Sequence, residues 1–304
     1  MARRTVDFEG ILPAMVTPFL EGEGTVDEPA LARLTDRLIK AGSGGLIPCG
    51  STGEFPALSL AERRRVTEVV VEAAAGRVPV APHTGTLSTR DTIELSQHAE
   101  AAGSSGVMII PPFYEPLPWP VIVKYYETVA SSIGIPIIVY NLPGATGMRP
   151  TGEQIAELAA IEGVDWIKDS SADAVSLTEL ILRYGDRIGV MNGWDTLTLY
   201  GLLAGTRASV WGAANFIPEL CVELFDAAAR RRDLDAACEV WTRIWPICNF
   251  LETSGSYVAA VKAGCELIGE PAGPPRAPIL PLDPAARAQL GQLLEVSRRV
   301  PVNR

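Results

Sequence analysis

Residues 135–170 read IPIIVYNLPGATGMRPTGEQIAELAAIEGVDWIKDS, and the succession of patterns within them decides the fold. The apolar, β-branched run from Ile135 to Pro143 has the length and the bounding proline of a strand. Thr151-Gly-Glu-Gln154 then opens an amphipathic stretch as a capping box, in which hydroxyl and amide satisfy orphan backbone N–H groups reciprocally. A second strand-like run, Val164 to Ser170, follows. Strand, helix, strand is the unit from which parallel sheets are built.

The same alternation extends from residue 10 to about residue 215. Its runs are Gly10 to Phe19, Gly45 to Gly50, Val78 to Gly85, Gly106 to Pro112, Ile135 to Pro143, Val164 to Ser170, Ile188 to Asp195 and Ala208 to Asn215. Ser59-Leu-Ala-Glu62 supplies another capping box between the second and third. Eight strands, each followed by a helix, predict an α/β fold of the closed parallel (β/α)8, or TIM-barrel, type. The rival, an open doubly wound sheet, asks for Gly-x-Gly-x-x-Gly after its first strand, and Thr17-Pro-Phe-Leu-Glu-Gly22 has no such turn. After Asn215 the pattern becomes helical, with Pro218 near a start, a break from Arg230 to Asp233 and a Pro- and Gly-rich stretch from Gly269 to Pro284. The expected organisation is a barrel over 1–215 carrying the catalytic strand ends, with a helical extension over 216–304 packed on it.

The 304 residues carry 26 Lys and Arg against 36 Asp and Glu, a net charge of −10. An acidic chain without a basic stripe lacks the electrostatic footprint of phosphate-backbone binding, which argues against nucleic acid as a partner. The arginine runs Arg63 to Arg65 and Arg230 to Arg232 sit among acids in helical patterns and are expected on solvated faces. No apolar run is long enough to span a bilayer, and the N-terminus, with two arginines and no apolar stretch behind them, does not read as a secretory leader. Five cysteines without a Cys-x-x-Cys pair point to buried thiols in a reducing cytoplasm. Two histidines, His83 and His98, are little material for a His-rich metal centre or a Ser-His-Asp triad, and neither a metal nor another cofactor is expected.

In such a barrel the chemistry belongs at the C-terminal strand ends. Polar residues there are Thr17, Ser51, Thr52, Glu54, His83, Tyr114, Tyr140, Asn141, Lys168, Asp169, Ser170, Asn192, Asp195 and Asn215. Lysine usage sharpens the choice, because the chain has four lysines and 22 arginines. Lys40, Lys124 and Lys262 fall in amphipathic helical patterns, as surface residues do, whereas Lys168 closes the apolar run Val164-Asp-Trp-Ile-Lys168. Desolvation there disfavours the ammonium form, and a neutral amine is a nucleophile toward ketones. The plain alternative is a rim lysine paired with Asp169 or another acid. Tyr140 offers a phenol able to move a proton to or from a substrate oxygen; equally, a tyrosine at a strand end plugs the mouth, ring inward and hydroxyl to water. In Cys49-Gly-Ser51-Thr52-Gly-Glu54, glycines flank two hydroxyls, a nest suited to a carboxylate and lacking the lysine of a phosphate loop.

Gly50-Ser-Thr-Gly-Glu54, Tyr140-Asn-Leu-Pro143 with Gly147 following, and Ile167-Lys-Asp169, in that order, resemble the dihydrodipicolinate synthase and N-acetylneuraminate lyase superfamily of class I aldolases. Pro112-Phe-Tyr114, Asn192-Gly193 and the Pro-rich tail extend the resemblance over essentially the whole chain. It implies that Lys168 forms a Schiff base with pyruvate or another 2-keto acid, the protonated imine acting as electron sink for a carbanion or enamine at the neighbouring carbon. It implies that Tyr140 relays protons, that Ser51 and Thr52 hold the keto-acid carboxylate, and that Gly193 and Val210 line the imine pocket. It further implies that Tyr114 crosses a dimer interface to complete the relay in the neighbouring subunit of a homotetramer, a dimer of dimers.

One departure bears on substrate. Dihydrodipicolinate synthases usually carry an arginine five residues after the strand-five tyrosine, on the carboxylate of the aldehyde partner, and Ala145 stands there here. A second carboxylate then loses a charge-assisted bidentate contact worth on the order of a few kcal/mol, unless Arg149, four residues on, replaces it. Pro143-Gly-Ala-Thr146-Gly147 is more similar to members acting on 2-keto-3-deoxy sugar acids. The resemblance therefore implies first a Schiff-base lyase for a 2-keto-3-deoxy acid, by pyruvate-releasing aldol cleavage, by condensation or by dehydration. Alternatives are 4-hydroxy-tetrahydrodipicolinate synthase, joining pyruvate to aspartate semialdehyde, and N-acetylneuraminate lyase. A metal-dependent barrel enzyme built on His83 and Glu54, and a non-enzymatic binding or regulatory barrel, complete the field; neither gives Lys168 and Tyr140 a role.

Overall fold

Strands and helices alternate along the chain in the computed structural model, which describes residues 6–22 and 24–298. The first part of the leader reading, residues 1–5, lies outside them. In order come Gly10–Pro13 (β1), Glu28–Lys40 (α1), Leu60–Ala74 (α2), Thr89–Ala101 (α3), Val107–Ile109 (β2), Trp119–Ala130 (α4), Ile137–Asn141 (β3) and Pro143–Thr146 (α5). Gly152–Ala159 (α6), Val164–Asp169 (β4), Ala174–Glu179 (α7), Gly189–Asn192 (β5), Thr198–Ala204 (α8) and Ala208–Trp211 (β6) follow. Pro218–Phe225 (α9), Leu234–Thr253 (α10), Tyr257–Leu267 (α11) and Pro284–Arg298 (α12) make the extension. Both capping boxes form, at Ser59 with Glu62 and at Thr151 with Gln154, and each fixes where its helix begins.

The sheet is parallel and six-stranded, in the order β1-β6-β5-β4-β3-β2, rather than the eight-stranded closed ladder expected. The runs Gly45 to Gly50 and Val78 to Gly85 occupy the gap between β1 and β2 but contribute only isolated parallel bridges, Ala14 to Ile47, Leu46 to Val80 and His83 to Met108. Their prolines explain the difference. Pro48, Pro79 and Pro82 have no N–H, so neither run can donate at every second residue, and a regular ladder cannot form. Single bonds still cross the gap, among them Leu46 N–H to Pro79 O and Ala81 N–H to Leu46 O, both 2.9 Å.

Register positions the site. Tyr140 pairs with Lys168, and Lys168 with Met191. Because successive strand residues face opposite sides, Ile138, Tyr140, Trp166, Met191 and Val210 share an inner cluster with Leu12 and Phe8. Ile137, Val139, Ile167 and Val190 face outward into the layer formed with α4 and α6. Trp166 forms part of the floor beneath Lys168, its ring packed edge-on against Phe8 at 5.5 Å. The extension adds Ile244, Ile247 and Phe250 to the same core as Trp211 and Phe216, each fully buried apolar side chain contributing about 1.5–3 kcal/mol.

Two surface readings are corrected here. Arg64 and Arg65 meet Glu94 and Glu28 at the surface and Arg230 to Arg232 are exposed, as expected, but Arg63 is buried. Three consecutive helix residues spread over about 200° of arc, so one of them shares the inward face with Val66, Thr67 and Val70. Lys262 is buried as well, since α11 has Ala259 to Cys265 all out of solvent and therefore no free polar face. Cys49, Cys221, Cys248 and Cys265 are buried thiols, and Cys238 is exposed. No helix among the described residues is long and apolar enough to cross a membrane.

Candidate active site

At the C-terminal end of β4, Lys168 points inward, 5% exposed, with its Nζ 4.1 Å from the centre of the Tyr140 ring. Asp169 does not pair with it. One residue on along the strand, that carboxyl faces the other way and accepts from Asn141 Nδ2 at 2.6 Å and Ser171 Oγ at 2.8 Å, while burial pushes its pKa up. Among the described residues no carboxylate lies within ion-pair distance of Lys168, so the rim-pair alternative is not what the structure holds.

Lys168, Tyr140, Ser51, Thr52, Gly193 and Val210 all line one cavity of about 280 Å³, six side chains or backbones brought together from four strand ends and a loop. Ser51 Oγ and Tyr140 Oη stand 3.5 Å apart, the outer limit of a hydrogen bond. Gly193 is required by space: a Cβ there would stand 2.3 Å from Ser170 Oγ and 2.5 Å from Lys168 Cε. Tyr114 is elsewhere. It is 87% exposed and lines a separate apolar surface groove with Leu87, Pro112, Leu117 and Val121.

Several strand-end candidates are structural. Asn215 accepts from Val16 N–H and donates to the Ala14 and Gly212 carbonyls. Thr17 donates to Gly53 O at 2.8 Å. His83 lies under Phe55, ring centres 4.5 Å apart, and burial first, then the charges of Arg63 and Lys168, hold its pKa well below the usual value. Glu54 turns away from both His83 and the cavity to meet Lys262, and among the described residues no group of three or more His, Cys, Asp or Glu side chains is placed to hold a metal. Arg149 is exposed and lines a polar cleft with Asp169, Asp173 and Glu179, not the Lys168 cavity.

Among the lining residues that sequence reasoning missed are Trp194, Glu252 and Tyr257. Tyr257 donates to Asp195 Oδ2 at 2.7 Å, and Glu252 accepts from Thr196 N–H at 3.0 Å and from Thr196 Oγ1 at 2.7 Å. Asp195 is wholly buried, and burial, opposed by the Tyr257 hydrogen bond and aggravated by Glu252, pushes its pKa up to about 7. The one sequence signal for this wall was the Ser-Gly-Ser break before Tyr257, which leaves the start of α11 free to reach over the strand ends. Gly212 completes it: a Cβ there would stand 2.1 Å from the Tyr257 hydroxyl.

The chain matches the profile of the Dihydrodipicolinate synthetase family over residues 7–297. It belongs to that family. It is thereby a member of the superfamily of class I, Schiff-base-forming aldolases, an enzyme of the lyase class acting on a 2-keto acid. A 4-hydroxy-tetrahydrodipicolinate synthase of Syntrophobacter fumaroxidans is 35% identical over 290 residues, 95% of this chain and 98% of the relative. One of Thermomicrobium roseum is 37% identical over 283 residues, 92% of each chain. Among solved structures, YagE, a prophage protein of the dihydrodipicolinic acid synthase family from E. coli K12 in complex with pyruvate, superposes with a TM-score of 0.91 at 33% identity, covering 96% of this chain and 99% of that one. Dihydrodipicolinate synthase from Aquifex aeolicus superposes with a TM-score of 0.89 at 30% identity, covering 95% and 97%.

Proposed function

We propose that Lys168 attacks the keto carbon of pyruvate, expels water and holds the substrate as an imine, while Ser51 and Thr52 bind its carboxylate and Tyr140 moves protons at the oxygen that leaves. The observation that carries this reading is the buried Lys168 amine, unpaired by any described acid, in one cavity with Tyr140 and the hydroxyl loop. The pyruvate in the YagE complex supports the choice of keto acid. Positive charge on the imine nitrogen makes the adjacent methyl acidic, and the resulting enamine attacks an aldehyde or is regenerated when the product bond breaks.

For the aldehyde partner, the name shared by the curated relatives favours 4-hydroxy-tetrahydrodipicolinate synthase, with aspartate semialdehyde as acceptor. One observation favours a second reading, a lyase for 2-keto-3-deoxy acids: Ala145 brings no guanidinium, Arg149 lines a different cleft, and the cavity wall carries Asp195 and Glu252 instead. A second carboxylate meets no fixed cation there beyond Lys168 itself, whereas hydroxyl groups meet good acceptors. The site belongs to a barrel closed through the Ile47, Val80 and His83 bridges, 1–215, completed by the extension 216–304, working in the cytoplasm as a homotetramer in which Tyr114 reaches a neighbouring site.

Borohydride reduction with pyruvate is expected to add a stable mass to the peptide containing Lys168, and an unmodified Lys168 sinks the reading. Tyr140→Phe is expected to keep that adduct but to lower kcat by about 100-fold or more; unchanged turnover removes Tyr140 from the relay. Pyruvate consumption with aspartate semialdehyde decides for the first acceptor, and pyruvate release or dehydration from a 2-keto-3-deoxy acid, without that condensation, decides for the second.

A further inference from the structure

The loop Gly50-Ser-Thr-Gly-Glu54 ends on a residue that does not face the cavity. Glu54 adopts the left-handed conformation at φ 59°, which costs a non-glycine residue about 1–2 kcal/mol, so its surroundings must hold it there. They do so with charge. Lys262 Nζ from α11 lies 2.7 Å from Glu54 Oε1, and the two side chains are 2% and 0% exposed. The ammonium also donates to Pro274 O at 3.0 Å, and Glu54 Oε2 accepts the Arg276 backbone N–H at 2.7 Å.

Lys262 and Arg276 also stack on the Phe19 ring, at 4.1 Å and 4.2 Å. The Arg276 guanidinium continues to Ala57 O and to Glu62, the acid of the α2 capping box, both at 2.7 Å. From the opposite side Thr17 Oγ1 holds Gly53 O. Among the described residues, the ion pair and hydrogen bond that hold the Glu54 carboxylate thus come from α11 and from the Pro-rich stretch that follows it, while Thr17 holds Gly53. A buried ion pair of this kind is weak evidence of stability, because desolvating two charges offsets most of their attraction. What it does supply is geometry, since neither partner can leave without stranding the other.

We propose that Glu54 and Lys262 are positioning residues for substrate binding: their buried pair fixes the Ser51 and Thr52 loop in the conformation that receives the keto-acid carboxylate. The helical extension thereby acts on a group it does not touch. This rests on the assignment of Ser51 and Thr52 to the carboxylate.

The test measures the pyruvate concentration that half-saturates borohydride trapping at Lys168, beside kcat and the melting temperature. Glu54→Gln and Lys262→Met are expected to raise that concentration by about tenfold or more, with kcat at saturating pyruvate within about threefold of the parent. The double variant Glu54→Gln/Lys262→Met strands no charge and keeps the fold where a single variant fails, and it is expected to retain the raised half-saturation. A folded double variant with the parent's half-saturation, whatever its melting temperature, overturns the proposal and leaves the pair a purely structural one. Ser51→Ala and Thr52→Val separate the two assignments. If these leave half-saturation unchanged, the carboxylate reading itself falls and the positioning role with it; if they raise it while the double variant does not, only the positioning role falls.

Discussion

Asp195 is held out of water beside a tyrosine hydroxyl, and its pKa near 7 ties folding to pH. A carboxyl raised in the folded state binds a proton that the unfolded chain has already released. Its penalty is absent below about pH 4 and grows as pH rises toward the folded pKa, so stability falls across that window. Asp195→Asn cannot ionise yet still accepts from Tyr257, and its stability relative to the parent should rise by on the order of a few kcal/mol between about pH 4 and pH 8. Urea midpoints at both pH values check this; parallel curves would show that Asp195 ionises normally. Legibility at this scale followed local contrast. Lys168 stood out because its strand neighbours are apolar, whereas Lys262 looked ordinary because no helical pattern reveals that both faces of α11 are covered.

Elements were legible where backbone donors run uninterrupted. Six of the eight expected strands form, and the two that do not are those broken by Pro48, Pro79 and Pro82. The start of α11 matters more to the site than its distance along the chain suggests, because Gly212 after β6 leaves the space the Tyr257 hydroxyl fills. Gly212→Ala is expected to push that hydroxyl off Asp195 and to cost about 1–3 kcal/mol. Tyr257→Phe removes the same hydrogen bond without a clash, so the two effects should be far from additive in a double-mutant cycle. Additive melting-temperature losses would mean that Gly212 acts elsewhere.

On the scale of the whole molecule, the exposed Tyr114 sits in an apolar groove of about 540 Å³ on the outside of the α3 and α4 layer. A second copy covering this groove is the assembly the family resemblance implies. Val121, 47% exposed in the groove, is the place to break it. Val121→Glu is expected to lower the mass in sedimentation equilibrium and to reduce kcat, because a carboxylate buried in an apolar interface meets no partner. A parent protein that sediments as a fully active monomer would remove Tyr114 from the relay.

Periodicity and capping boxes determined the α/β alternation from sequence alone, and the loop and strand-end motifs the family, for these depend on neighbours within a few positions of one another; of the seven site residues that the resemblance implied, one cavity gathers six. Only the tertiary structure decided that Tyr114 stands apart, that Arg149 lines another cleft, that Glu252 and Tyr257 line the cavity of Lys168, and that Lys262 is buried against Glu54, all of them far from those neighbours in the chain. Contacts between distant segments are set by packing in three dimensions, and no local pattern of residues encodes which buried side chain will meet which.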